Sequence, residues 1–156
     1  MKNALILLVV LTALVQPGHA RSLFASVSDV VEARAQASDA DRTAAREMLR
    51  IADQAVGRGN WSGAYKGYAE AALRWPDARA LLGMAQSLSL MKRGIDGCEN
   101  GYRVKLSDLS YALGILVLVQ QLDEIDGIAS DTSPARNAIS AALSGVSDEI
   151  DACRQD

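Results

Sequence analysis

The chain has 156 residues, 49% hydrophobic and 4% aromatic, with 16 basic against 19 acidic side chains and a formal net charge of -3. A mildly acidic chain without a Lys/Arg run lacks the basic footprint that a nucleic-acid backbone demands, so nucleic acid is excluded as a partner on charge. The length suits one domain with its own core and is too short for two.

The chain opens on Lys2 and a stretch from Ala4 to Val15 that is apolar but for Thr12, which Pro17 ends before Gly18, His19 and Ala20. A positive start, a short apolar run and small residues ahead of a cleavage point predict a signal peptide over 1–20, cut between Ala20 and Arg21. The mature domain, 21–156, is then periplasmic or secreted. The apolar run of 12 residues falls short of the ~20 that cross a bilayer, so no membrane span is expected after cleavage. His19 is the only histidine, and it leaves with the signal segment. The mature chain thereby loses the commonest general base, metal ligand and partner of a serine or cysteine nucleophile. No catalytic residue, metal site or cofactor is expected.

From Val27 to Ala37 the pattern predicts a first helix. Ser38 and Asp39 cap a second, in which Ala45, Met48, Ile51, Ala52 and Ala55 recur at helical spacing until Gly57 and Gly59 stop it. A third runs from Asn60 or Trp61 to Trp75. Pro76 suits the first turn of a fourth, with Leu81, Leu82, Ala85, Leu88 and Met91 on its apolar face. The following segment is punctuated by Gly94, Gly97 and Gly101. Ser107 or Asp108 then caps a helix from Leu109 to about Glu124, whose centre, Leu113 to Val119, is apolar nearly all round and is expected to be buried. Asp126 to Thr132 reads as a polar loop, and Ser133 with Pro134 opens a last helix reaching Cys153. No stretch alternates as a half-buried strand does, so the fold class is all-α.

Two cysteines follow the signal segment, Cys98 and Cys153, 55 positions apart. In an oxidising compartment they are expected to form a disulfide, which in the chain-entropy model adds ~4 kcal/mol of stability. Their spacing fits no CxxC-type metal or redox site.

An offset of 34 residues places Gly63 on Gly97, Gly67 on Gly101 and Tyr68 on Tyr102. In the first unit, 44–77, Met48, Ile51, Ala52 and Ala55 are followed by Gly59, Trp61, Ala64, Tyr68, Ala71 and Pro76. The second, 78–111, keeps Leu82, Ala85, Cys98 and Tyr102 but has Gln86 and Lys105 at small-residue positions and Ser110 where proline would fall. In period and in these residues the chain resembles the tetratricopeptide-repeat family. The resemblance implies an array of helical hairpins, with the Leu109 and Ser133 helices as a C-terminal capping pair. It also implies a concave face, made by the first helix of each unit, that binds a protein or peptide. By position that face holds Arg46, Leu49, Arg50, Asp53, Gly83, Met84 and Ser87. Arg46 and Arg50 lie one turn apart and suit an acidic or carboxylate-bearing segment. The family's lysine and asparagine carboxylate-binding set is missing.

The expected function is that of an exported, non-enzymatic protein-interaction adaptor or scaffold. The alternative is a plain disulfide-tied bundle, an accessory or inhibitory subunit of one extracytoplasmic enzyme, binding through Ile95 to Asn100 or Asp126 to Ser133. A hydrolase would require two facing carboxylates and ranks third. The acidic cluster Asp123, Glu124 and Asp126 does not have the spacing of a calcium loop.

Overall fold

The structure, a computed structural model, describes residues 23–91 and 98–153, with side chains for 23–91 and 104–146. The expected signal peptide and the side chains of Cys98 and Cys153 lie outside the described residues. Six helices and no strand form the described part: α1 (Val27–Gln36), α2 (Asp39–Gly57), α3 (Trp61–Arg74), α4 (Ala78–Leu90), α5 (Cys98–Asp126) and α6 (Ser133–Cys153). The all-α class is as the periodicity predicts.

Local chemistry sets the first four boundaries. Ser26 caps α1 and Ser38 caps α2, each accepting from the backbone N–H three residues on, while Asp29 and Asp41 return the bond to the cap backbone. These capping boxes satisfy N–H groups that the helices themselves cannot reach. Gly59 turns the chain at a positive φ of 68°, a conformation that costs glycine little. Asn60 then caps α3, its side chain accepting from Gly63 N–H at 3.0 Å. Pro76 precedes α4 rather than entering its first turn, because Asp77 takes the N-cap and accepts from Ala80 N–H at 2.8 Å.

α2 packs on α3, α3 on α4, and α4 on both α5 and α6; α5 and α6 pair, and α1 touches α5. α4 lies at the centre. Ala80, Leu81, Gly83, Met84, Ala85, Ser87, Leu88 and Ser89 are all buried, so little of the helix faces solvent. Two contacts bring the helices unusually close. A Cβ on Gly67 would stand 2.9 Å from Ala52 Cβ, and one on Gly83 would stand 2.6 Å from three atoms of the Tyr68 ring. Ala64, Ala71 and Ala72 are also buried on α3, where small side chains admit neighbouring backbones.

Two expectations about α5 are corrected. The helix does not start near Ser107 or Asp108; it runs unbroken for 29 residues, through the expected second-unit boundary at Tyr111. Lys105 Nζ donates to the carbonyls of Ser89, at 2.6 Å, and Met91, at 3.2 Å, binding α5 to the end of α4. Asp108 is buried, 3% exposed, rather than standing at a helix start. Nor is the centre of α5 enclosed. Ala112, Ile115, Leu116, Val119 and Leu122 face the core, whereas Leu113 and Val117 are 46% and 52% exposed. The apolar run is broad enough to supply a core face and leave a second face outside.

The close packing gives a paired prediction. Gly83→Ala must push the Tyr68 ring aside and should cost about 1–3 kcal/mol. Gly114→Ala, where an added Cβ meets nothing within 4 Å, should instead stabilise by about 0.5–1 kcal/mol through helix propensity. Urea unfolding followed by far-UV circular dichroism measures both; equal effects would contradict the Tyr68–Gly83 contact.

Candidate functional site

α2 carries Arg42, Arg46, Leu49 and Asp53 at helical spacing along one side, and the start of α4 meets this side. At the junction Tyr68 Oη donates to Asp53 Oδ1 at 2.6 Å, and Arg79 Nη2 donates to Asp53 Oδ2. One carboxylate therefore joins α2, α3 and α4. Burial pushes the Tyr68 phenol well above its usual range, and the hydrogen bond to Asp53 and the charge of that carboxylate push the same way; Arg79 opposes them.

Next to this junction is an open cleft of about 340 Å³ lined by Tyr68, Arg79, Leu82, Gly83 and Gln86, with Ser130, Asp131, Pro134 and Ala135 across from them. The loop side is fixed by Asp123, which accepts from Ser130 N–H at 2.9 Å and from Ser130 Oγ at 2.7 Å. Asp131 accepts from Ser133 N–H at 3.0 Å. That backbone bond, followed by the Ser133 hydroxyl, lowers the carboxyl's pKa.

A second cleft, of about 250 Å³, is lined by Arg42, Ala45, Arg46, Leu49, Trp75 and Asp77. The Arg42 guanidinium lies 4.2 Å from the Trp75 ring centroid and that of Arg34 lies 5.7 Å from it, both within cation–π range. These cations differ in what satisfies them. Arg34 donates to both oxygens of Asp126, at 3.0 and 2.7 Å, and through Nε to the Pro76 carbonyl at 2.6 Å. Arg42 has a 3.7 Å ion pair with Asp39, whose side chain is 99% exposed, a geometry worth little. Arg46 has no ion pair among the described residues.

The seven residues expected on the binding face are distributed unevenly. Arg46 and Leu49 line the second cleft, Gly83 lines the first, and Asp53 lines neither, accepting instead from Tyr68 and Arg79 of the first. Arg50 turns away to Glu47, donating at 2.9 and 2.6 Å. Met84 and Ser87 are corrections. At 0% and 1% exposed they lie inside, because α3, α5 and α6 all pack on α4. The Ser87 hydroxyl has no hydrogen-bond partner among the described residues. Arg42, Tyr68, Trp75, Arg79 and Gln86 were absent from the expected face. Of these, Arg42 was within reach of sequence reasoning, being one helical turn before Arg46. The acidic cluster is divided, with Asp123 serving the loop and Asp126 serving Arg34.

The raised Tyr68 pKa means that the folded protein holds this proton more tightly than the unfolded chain. Its contribution to stability is present below about pH 10, the ordinary phenol value, and is lost as pH rises toward the higher folded-state pKa. Stability should therefore fall in alkali, and Tyr68→Phe should make that fall shallower while costing about 1 kcal/mol at neutral pH through the lost bond to Asp53. Urea midpoints measured from pH 7 upward check both; an unchanged alkaline slope would contradict the assignment.

Compared with family models, with curated proteins and with solved structures, the chain matches none.

Proposed function

We propose that this chain is an exported, non-enzymatic adaptor of tetratricopeptide-like build that binds a segment of a partner protein along α2 and α4. In this reading α2 and α3 are the first hairpin, α4 and the first half of α5 the second, and the rest of α5 with α6 the C-terminal cap. Export rests on the pattern from Lys2 to Ala20.

The observation that carries the binding role is a pair of open clefts, one lined by α2 with Trp75 and Asp77, the other by α3, α4 and the loop before α6, with Asp53 of α2 bonded to Tyr68 and Arg79 of the latter. A segment lying there would meet apolar floors at Leu49 and Leu82 and polar edges at Arg46, Arg79 and Gln86. Such alternation of apolar floor and spaced polar groups suits an extended or irregular peptide.

A photo-crosslinking amino acid placed at Arg46, Gln86, Ser62 or Ile128 in turn tests this in extracytoplasmic extract. Arg46 and Gln86 line the clefts, whereas Ser62 and Ile128 are exposed on α3 and on the loop before α6. One partner captured from Arg46 and Gln86, and not from Ser62, is expected. Capture from Ile128 alone would refute the adaptor reading and favour the accessory bundle that binds through its loops.

A further inference from the structure

The cleft around Trp75 narrows the chemistry of what binds. The Arg42 guanidinium lies over the indole, 4.2 Å from its centroid, and its ion pair with the fully exposed Asp39, at 3.7 Å, is weak enough for a planar acceptor to displace. Arg46, one turn on, adds a second guanidinium to the same lining and has no counter-ion among the described residues. The carboxylate in the lining, Asp77, is engaged as the cap of α4 through Ala80 N–H. The lining also holds Ala45, Leu49 and Trp75, apolar groups that a small hydrated anion would leave uncovered. At about 250 Å³ the cleft is smaller than the usual pocket for a drug-sized ligand and suits side chains of a peptide.

We infer that this cleft takes the carboxylate of an acidic side chain together with an adjacent apolar side chain, both from one peptide segment of the partner. Arg42 and Arg46 hold the carboxylate, and Trp75 and Leu49 cover the apolar neighbour. The inference rests on the adaptor reading and adds to it the chemical class of the segment bound.

Trp75 supplies the signal. The chain has two tryptophans, so in the full chain carrying Trp61→Phe the emission comes from Trp75 alone. The probe is a blocked peptide of alternating leucine and glutamate, with a leucine–glutamine peptide as control. Saturable change of Trp75 emission is expected with the glutamate peptide and roughly ten-fold weaker binding with the glutamine peptide, as for the loss of a charge-assisted contact. Arg46→Gln should weaken the glutamate peptide about as much, and Arg46→Lys less, since a point charge remains. Circular dichroism confirms that each variant is folded. Equal binding of the two peptides would overturn the inference, as would saturation of the signal by inorganic phosphate at the same concentration. If the glutamate peptide leaves Trp75 unchanged while Arg46 and Gln86 still crosslink one partner, the carboxylate inference fails and the adaptor reading stands.

Discussion

The contact of the Tyr68 ring with the bare backbone of Gly83 sets the geometry of the first cleft. Because position 83 has no side chain, α3 and α4 approach until the ring lies on the helix. That approach delivers the phenol to Asp53, and Asp53 in turn holds Arg79. Gly67 against Ala52 does the corresponding work between α2 and α3. Dense packing of this kind transmits a change of one methyl group, so the width of the first cleft depends on side chains buried beneath it.

The cations around Trp75 divide between architecture and surface. Arg34, 17% exposed at its side chain, spends its donors on Asp126 and the Pro76 carbonyl, and its removal would leave a partly buried carboxylate without a counter-ion. Arg42 and Arg46 are exposed and support no comparable network. The same indole borders both kinds. Trp75 thus separates a closed junction at the end of α5 from an open cleft beside α2.

Much of the fold was legible wherever short-range chemistry decides it. Ser38 with Asp41, Asn60 with Gly63 and glycine at 59 mark boundaries through partners three or four residues away, and the pattern locates them. α5 was harder because glycines suggested interruption, whereas the helix is continuous and Lys105 ties it to carbonyls 14 and 16 positions back. The burial expected for Leu113 and Val117 failed for a related reason: apolar composition does not say how many neighbours a helix will have. The clefts were only half visible. Arg46, Leu49 and Asp53 were expected only by position, on the face that the repeat resemblance implies, whereas Trp75 beside Arg42 and Tyr68 beside Gly83 depend on how separate helices meet, and no local signal records that. Met84 and Ser87 were misplaced because α4 is covered from several directions, a property of the assembly and not of its own sequence.

The bonds that hold α1 also impose an order of events. Leu23 N–H donates to Tyr111 Oη across 88 positions, and Arg34 reaches Asp126 across 92. Neither acceptor exists in a chain that has emerged only as far as α4. During synthesis or threading from the N-terminus, α2, α3 and α4 can associate through near neighbours, whereas α1 has the Pro76 carbonyl and Trp75 as partners for Arg34 but lacks its bonds to α5 until that segment arrives. Contacts between such distant positions are slow to close because of the chain entropy they consume. The first helix made is therefore among the last to be fully fastened, and a chain stalled before Tyr111 would hold it without the bonds to Tyr111 and Asp126.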